Sequence, residues 1–191
     1  MLGFALAWAC VAAPESLILW ATPETARGED GVPYADGLAQ FGVALDRLLT
    51  ARSRTQEDAL WAVEQGLRTP KTLALCAIAP SAKPLSLTAT RRLLLAAETH
   101  NTRCVLLRFD RAGASAAWTR WIVSAAPSQG ARRELGPPRF NVQLVRNRAG
   151  PSGQYWLLEW NAHEHAFHTL DGAVAAAPAD RPADARQRRA V

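Results

Sequence analysis

Stretches that are apolar at every position alternate along this chain with stretches that are apolar only at helical spacing. Residues 3–13 combine strong helix formers with no breaker before Pro14 and predict a short helix ended by that proline. Leu17–Trp20 predicts a strand. Being apolar throughout rather than alternating, it is expected to be covered on both faces, as in a mostly parallel sheet. Thr22 to Pro33 reads as loop, 34–41 as helix and 47–50 as a short strand. The next helix is well marked: Thr55 caps it, Glu57 and Asp58 sit against the positive end of its dipole, and Leu60, Val63, Glu64 and Leu67 repeat at helical spacing before Pro70 stops it. Thr72–Ile78 is a second buried strand, and Pro80 to Pro84 a connector. Leu87 to Thr99 predicts a helix with Arg91 and Arg92 toward water and Leu87, Leu94 and Ala97 toward the sheet. Cys104–Leu107 is the third apolar run. This alternation implies right-handed crossovers and an α/β fold on a parallel sheet.

After Asp110 the pattern changes. Trp118–Val123, Phe140–Arg146 and Tyr155–Trp160 are alternating or mixed strands joined by Gly/Pro turns, so they are expected to pair antiparallel at the sheet's edge. From Ala173 onward the chain is Ala, Pro, Asp and Arg with little to bury. One domain over 1–172 and a disordered tail over 173–191 are expected.

With 191 residues and 49% hydrophobic content, a buried core is assured and one domain is the default. The seven Trp residues, at positions 8, 20, 61, 118, 121, 156 and 160, are expected to be mostly core or half-buried. Cys10, Cys76 and Cys104 each lie inside an apolar run, too far apart in sequence to suggest a metal pair, and read as buried hydrophobes in a reducing compartment. The apolar start, Met1 to Ala13, has no basic region before it and is too short to cross a bilayer; no membrane association and a cytoplasmic location are expected.

Charge is uneven. Residues 1–90 carry 7 basic and 9 acidic groups, residues 91–191 carry 15 and 8, and every basic residue of the second half is Arg. Arg suits phosphate or interface carboxylates because its planar fork meets two oxygens at once; a composition that uses Arg on any solvated face is the plainer alternative. The α/β pattern invites nucleotide chemistry, yet no glycine-rich loop ending in Gly-Lys-Ser/Thr occurs. The second apolar run closes as Ala77-Ile78-Ala79-Pro80, with no acid to hold hydrated magnesium. No cofactor is expected.

The segment Gln143-Leu144-Val145-Arg146-Asn147-Arg148-Ala149-Gly150-Pro151 resembles a strand of the RecA ATPase core that carries a basic-Asn-basic segment before a Pro-containing turn. Tyr34-Ala35-Asp36-Gly37-Leu38, Asp58 to Glu64, Thr90-Arg91-Arg92-Leu93, Thr119-Arg120-Trp121, Gly136-Pro137-Pro138-Arg139 and Leu158-Glu159-Trp160 follow in the order found in one branch of that superfamily. Over about residues 3–172 the chain is thus similar to the ImuA (SulA/ImuA-type) DNA-damage mutagenesis proteins. The resemblance implies a RecA-like three-layer core, mostly parallel with C-terminal antiparallel strands. Family members begin with a strand and a phosphate-loop-like turn ahead of the helix that opens this sequence, so either a shortened variant or an upstream start accounts for the difference. The resemblance also implies a non-catalytic adaptor in SOS-induced mutagenesis and translesion synthesis. Its partners are then an ImuB-type relative of Y-family polymerases and, through it, an error-prone C-family DNA polymerase, with any DNA contact indirect. A SulA-like division inhibitor and a RecA-type ATPase with a misplaced start stay open at this point. The connectors that match RecA's DNA-binding loops, Ser81–Pro84 and Arg111–Ala117, are short, which speaks against RecA-like filaments.

Arg146 and Arg148 match basic positions that in RecA reach toward a neighbour's nucleotide, and their spacing of two puts both on one strand face. With Arg139 they suit an acidic partner or a DNA backbone; an edge strand protected by charge is the alternative. Trp118 and Trp121 flank Arg120, an arrangement that stacks on single-stranded bases or, as the favoured reading, packs a sheet face. Arg120, Trp121, Arg139, Arg146 and Arg148 are therefore the candidate partner- or DNA-binding residues, and no catalytic or metal-binding residue is assigned. His163, His165 and His168 lie close in sequence but lack ligands to complete a tetrahedral set. Glu24, Glu29 and Asp30 follow the first strand and read as solvated loop charge rather than a general base.

Overall fold

The first helix, α1 (Leu2–Ala12), is apolar on every side, and a helix of that kind belongs in an interior. In the computed structural model, which describes residues 2–24, 34–78, 85–108, 113–130 and 135–170, it lies against two sheets. Ala5, Leu6, Ala9 and Cys10 pack with Ile18, Trp20, Leu73 and Leu75 of a parallel sheet. Ala7, with Phe4 beside it, packs on Phe140, Val142 and Trp160 of an antiparallel one.

The parallel sheet has the order β2-β1-β3-β4, from β1 (Leu17–Pro23), β2 (Leu48–Ser53), β3 (Thr72–Ile78) and β4 (Arg103–Arg108). All seven residues of β3 are buried, as its continuous apolar run predicts. Its second face is covered by α3 (Gln56–Leu67) and α4 (Leu87–His100), where Ala59, Val63, Leu67 and Leu93 meet Leu19, Ala74 and Cys76. Thr55 caps α3 by accepting a hydrogen bond from the Asp58 N–H at 3.1 Å, and Ser86 caps α4 through the Ala89 N–H at 3.1 Å. A short helix, α2 (Ala35–Gln40), places Leu38 in the core beside α1.

Four expectations are corrected. The strand predicted over 47–50 runs from Leu48 to Ser53, because Arg47 ends a 3-10 turn over Leu45–Arg47. On α4 the buried positions are Thr90 and Leu93, and Leu87 is exposed; Thr90 stays inside because its hydroxyl donates to the Leu87 carbonyl and accepts the Ala116 N–H. The antiparallel strands do not extend the parallel sheet among the described residues. They form a second sheet, β5-β6-β7-β8, from β5 (Thr119–Ala126), β6 (Arg139–Asn147), β7 (Tyr155–Asn161) and β8 (Ala166–Thr169). Of the seven Trp residues only Trp20 and Trp160 are buried, whereas Trp8, Trp61, Trp118 and Trp121 are exposed.

Trp160 anchors the second sheet: its indole N–H donates to the Gln40 carbonyl at 2.8 Å, and its ring meets Phe167 edge-on at 4.9 Å. Among the described residues no helix is long and apolar enough to cross a membrane. The tail over 173–191 lies outside the described residues.

Candidate functional site

The start of β5 and the end of β6 bring most of the candidate residues together. Antiparallel pairing sets Arg120 directly opposite Arg146 and Thr119 opposite Asn147. One step further, the Arg148 N–H donates to the Trp118 carbonyl at 3.0 Å, so the ladder continues past the end of β6. Side chains two apart share a strand face. Arg120 and Arg146 therefore form a facing pair, Trp118 and Arg148 adjoin it through that backbone bond just beyond the strand ends, and a register shift between Arg120 and Trp121 closes the block.

Two of these guanidinium groups hold the chain that leads into β5. Arg120 donates from Nη2 to the Gly113 carbonyl at 2.9 Å and to Ser115 Oγ at 3.1 Å, and Arg146 donates from Nη1 to the Ser115 carbonyl at 3.0 Å. The same segment is tied to α4: the Ala116 N–H donates to Thr90 Oγ1 at 3.1 Å, and Trp118 Nε1 donates to Glu98 Oε1 at 2.9 Å. Trp118 nevertheless leaves 48% of its surface in solvent, and Arg148 is exposed.

The other candidates lie elsewhere. Arg139 is paired with Glu159 across β6 and β7, Nε to Oε2 at 2.7 Å, with side-chain exposures of 13% and 25%. A charge-assisted pair of that kind ties β6 to β7. Trp121 turns to the apolar face, 5.8 Å from the Trp156 ring, with its N–H on Thr119 Oγ1 at 3.0 Å, and stays 45% exposed. The expectation that Trp118 and Trp121 pack a sheet face is thus met in part: Trp121 lies against Trp156, while both rings stay about half exposed among the described residues. As for the edge-strand alternative for Arg146, β6 lies between β5 and β7, yet its register with β7 ends at Gln143, so among the described residues the ladder pairing at Arg146 is with β5 alone.

The histidines do not converge. His165 stacks on Trp160 with ring centroids 6.3 Å apart, and His168 Nε2 meets Glu164 at 2.6 Å. Among the described residues no group of three His, Cys, Asp or Glu is placed to hold a metal ion. Glu24 is exposed after β1; Glu29 and Asp30, like residues 81–84 and 111–112 of the two connectors, lie outside the described residues. Burial pushes the Cys76 and Cys104 thiols up to about 12 and raises Cys10 as well, so none supplies a thiolate nucleophile near neutrality.

Sequence reasoning did not assemble a second cluster. Glu64 on α3 accepts from Arg92 of α4 at 2.6 Å and from Arg68 at 3.3 Å while only 12% of its side chain is exposed. The Glu64–Arg68 spacing of four was the visible signal; the bridge to α4 was not. The segments that carried the family resemblance are thereby joined in space. Glu64 meets Arg92, Arg139 meets Glu159, and the Trp160 N–H donates to the Pro138 carbonyl at 2.9 Å.

No family model matches the chain. Protein ImuA from each of two strains of Caulobacter vibrioides is 35% identical over 168 residues, covering 78% of this chain and 67% of the relative. Among solved structures, the RadB recombinase superposes with a TM-score of 0.57 over 84% of this chain and 82% of its own at 15% identity, a likeness that shows a RecA-like fold and no more. The chain thus spans about two thirds of its curated relatives. Identity at that level and over that span places the chain in the ImuA family of DNA-damage mutagenesis proteins.

Proposed function

We propose that this chain is a non-catalytic, cytoplasmic RecA-like adaptor in SOS-induced mutagenesis and translesion synthesis. It binds an ImuB-type protein and, through it, an error-prone C-family DNA polymerase. Membership of the ImuA family is the observation that carries the reading. Two features of the residues support contact rather than hydrolysis. Within the 191 residues there is no Gly-Lys-Ser/Thr phosphate loop, and the fully buried β3 ends on Ala77 and Ile78, where an ATPase of this fold needs a carboxylate for hydrated magnesium. Without bound phosphates, an acid such as Glu24 has no water to activate.

The test is co-purification of the full chain with an ImuB-type protein, alongside an assay of ATP hydrolysis by the purified chain. Stable capture with no turnover above the blank is expected. A folded sample that fails to capture the partner, or that hydrolyses ATP, contradicts the reading.

A further inference from the structure

We propose that the block formed by Trp118, Arg120, Arg146 and Arg148 is a binding site for single-stranded DNA, a role separate from the partner binding inferred above. The backbone ladder and its continuation bring three arginines and one tryptophan together at one end of the second sheet. Arg120 and Arg146 stand directly opposite each other, an arrangement that like charges make unfavourable unless an anion offsets it. Among the described residues their hydrogen-bond partners are neutral oxygens, the Gly113 and Ser115 carbonyls and Ser115 Oγ, which orient the guanidinium groups without cancelling their charge. Arg139 shows the contrast, with Glu159 cancelling its charge. Glu98 accepts from the Trp118 N–H at one edge of the ring, and Trp118 keeps 48% of its surface in solvent.

Fixed guanidinium groups suit phosphate oxygens, and an exposed indole beside them suits the face of an unpaired base. That combination selects a single strand over a duplex, whose bases are already stacked. Phosphate contact supplies affinity that falls with salt, while stacking tolerates any sequence. Arg148 is the member best placed to move onto a phosphate, since it is exposed while Arg120 and Arg146 are held by the segment before β5.

The experiment measures fluorescence anisotropy of a labelled oligothymidine with the full chain at graded salt, and repeats it with a duplex of equal length. Saturable binding to the single strand, weaker binding to the duplex and affinity falling with salt are expected. Arg148→Glu weakens binding about tenfold and lowers the salt slope by about one. Trp118→Ala weakens it by a similar factor, and Trp118→Phe retains most of it, both with unchanged far-UV circular dichroism. No binding at low salt, equal affinity for the duplex, or an Arg148→Glu protein that binds like the parent overturns the proposal. The assay contains no partner protein, so its failure leaves the adaptor reading standing.

Discussion

The two sheets of this molecule touch the same helix and have opposite characters. In the parallel sheet, β3 buries every residue between α1 on one side and α3 with α4 on the other. In the antiparallel sheet, β5 buries none fully, and Trp121, Ile122 and Ser124 all face solvent. The central strand of the first sheet is core on both faces, whereas the second sheet buries Phe140, Val142, Leu144 and Trp160 on its inner strands and leaves its edge strand β5 open for contact. What joins them is α1, whose apolar residues on all sides let Ala5, Leu6 and Ala9 serve one sheet and Ala7 the other.

The contrast breaks most sharply under a buried charge. Ala74→Asp, at a fully buried β3 position among Leu19, Val63 and Leu67, places an unpaired carboxylate in an apolar site and is expected to abolish the soluble fold. The same change at Ser124 on β5 is expected to move stability by less than about 0.5 kcal/mol. Expression yield and thermal melts of the two variants check this, and similar losses for both erase the distinction between the sheets. A milder version removes apolar bulk. Leu75→Ala is expected to cost about 2–5 kcal/mol by urea denaturation, against under about 1 kcal/mol for Ile122→Ala, which is 54% exposed.

Within the second sheet, Glu159→Gln tests whether Arg139 holds the sheet or stands ready for a ligand. With both groups partly buried, a loss of about 1–2 kcal/mol is expected, smaller than a full charged hydrogen bond because some solvent reaches the pair. An unchanged melt returns Arg139 to the list of candidate ligand-binding residues. The smallest effect concerns the thiols of the first sheet. Cys76 and Cys104 are neutral in the fold up to about 12 but ionise near the ordinary thiol value of 9 when unfolded. Unfolded chains therefore lose protons first, and the stability from these thiols is present below pH 9 and declines as pH rises from there toward 12. Melts of the parent against Cys76→Ala over pH 8 to 10.5 check the sign, the parent losing more of its stability as pH rises.

Much of the first sheet was legible because continuous apolar runs leave a strand few alternatives, as Thr72–Ile78 demonstrates. The phase of α4 was not, because Leu93, Leu94 and Leu95 offer three equivalent choices and a polar residue, Thr90, settles the matter through bonds to Leu87 and Ala116. Alternation announced β5 to β7 yet gave no sign of whether they extend the parallel sheet or close on themselves, since that depends on which edges meet. For the candidate site, the residue types and the shared parity of Arg146 with Arg148 were visible. That Arg120 faces Arg146, and that the Arg148 N–H meets the Trp118 carbonyl, depends on a register that the sequence leaves open and the shift beside Trp121 interrupts. The Arg139 pair was hidden for the same reason: its partner Glu159 is twenty residues away across a turn.

On the function proposed above, this RecA-like scaffold acts by contact, independently of nucleotide. Calorimetric titration of the full chain with an ImuB-type protein, run without nucleotide and again with ATP and magnesium, tests it most directly. The same dissociation constant in both conditions is expected. Binding that appears only with ATP and magnesium, or that is absent in both from a folded sample, contradicts it.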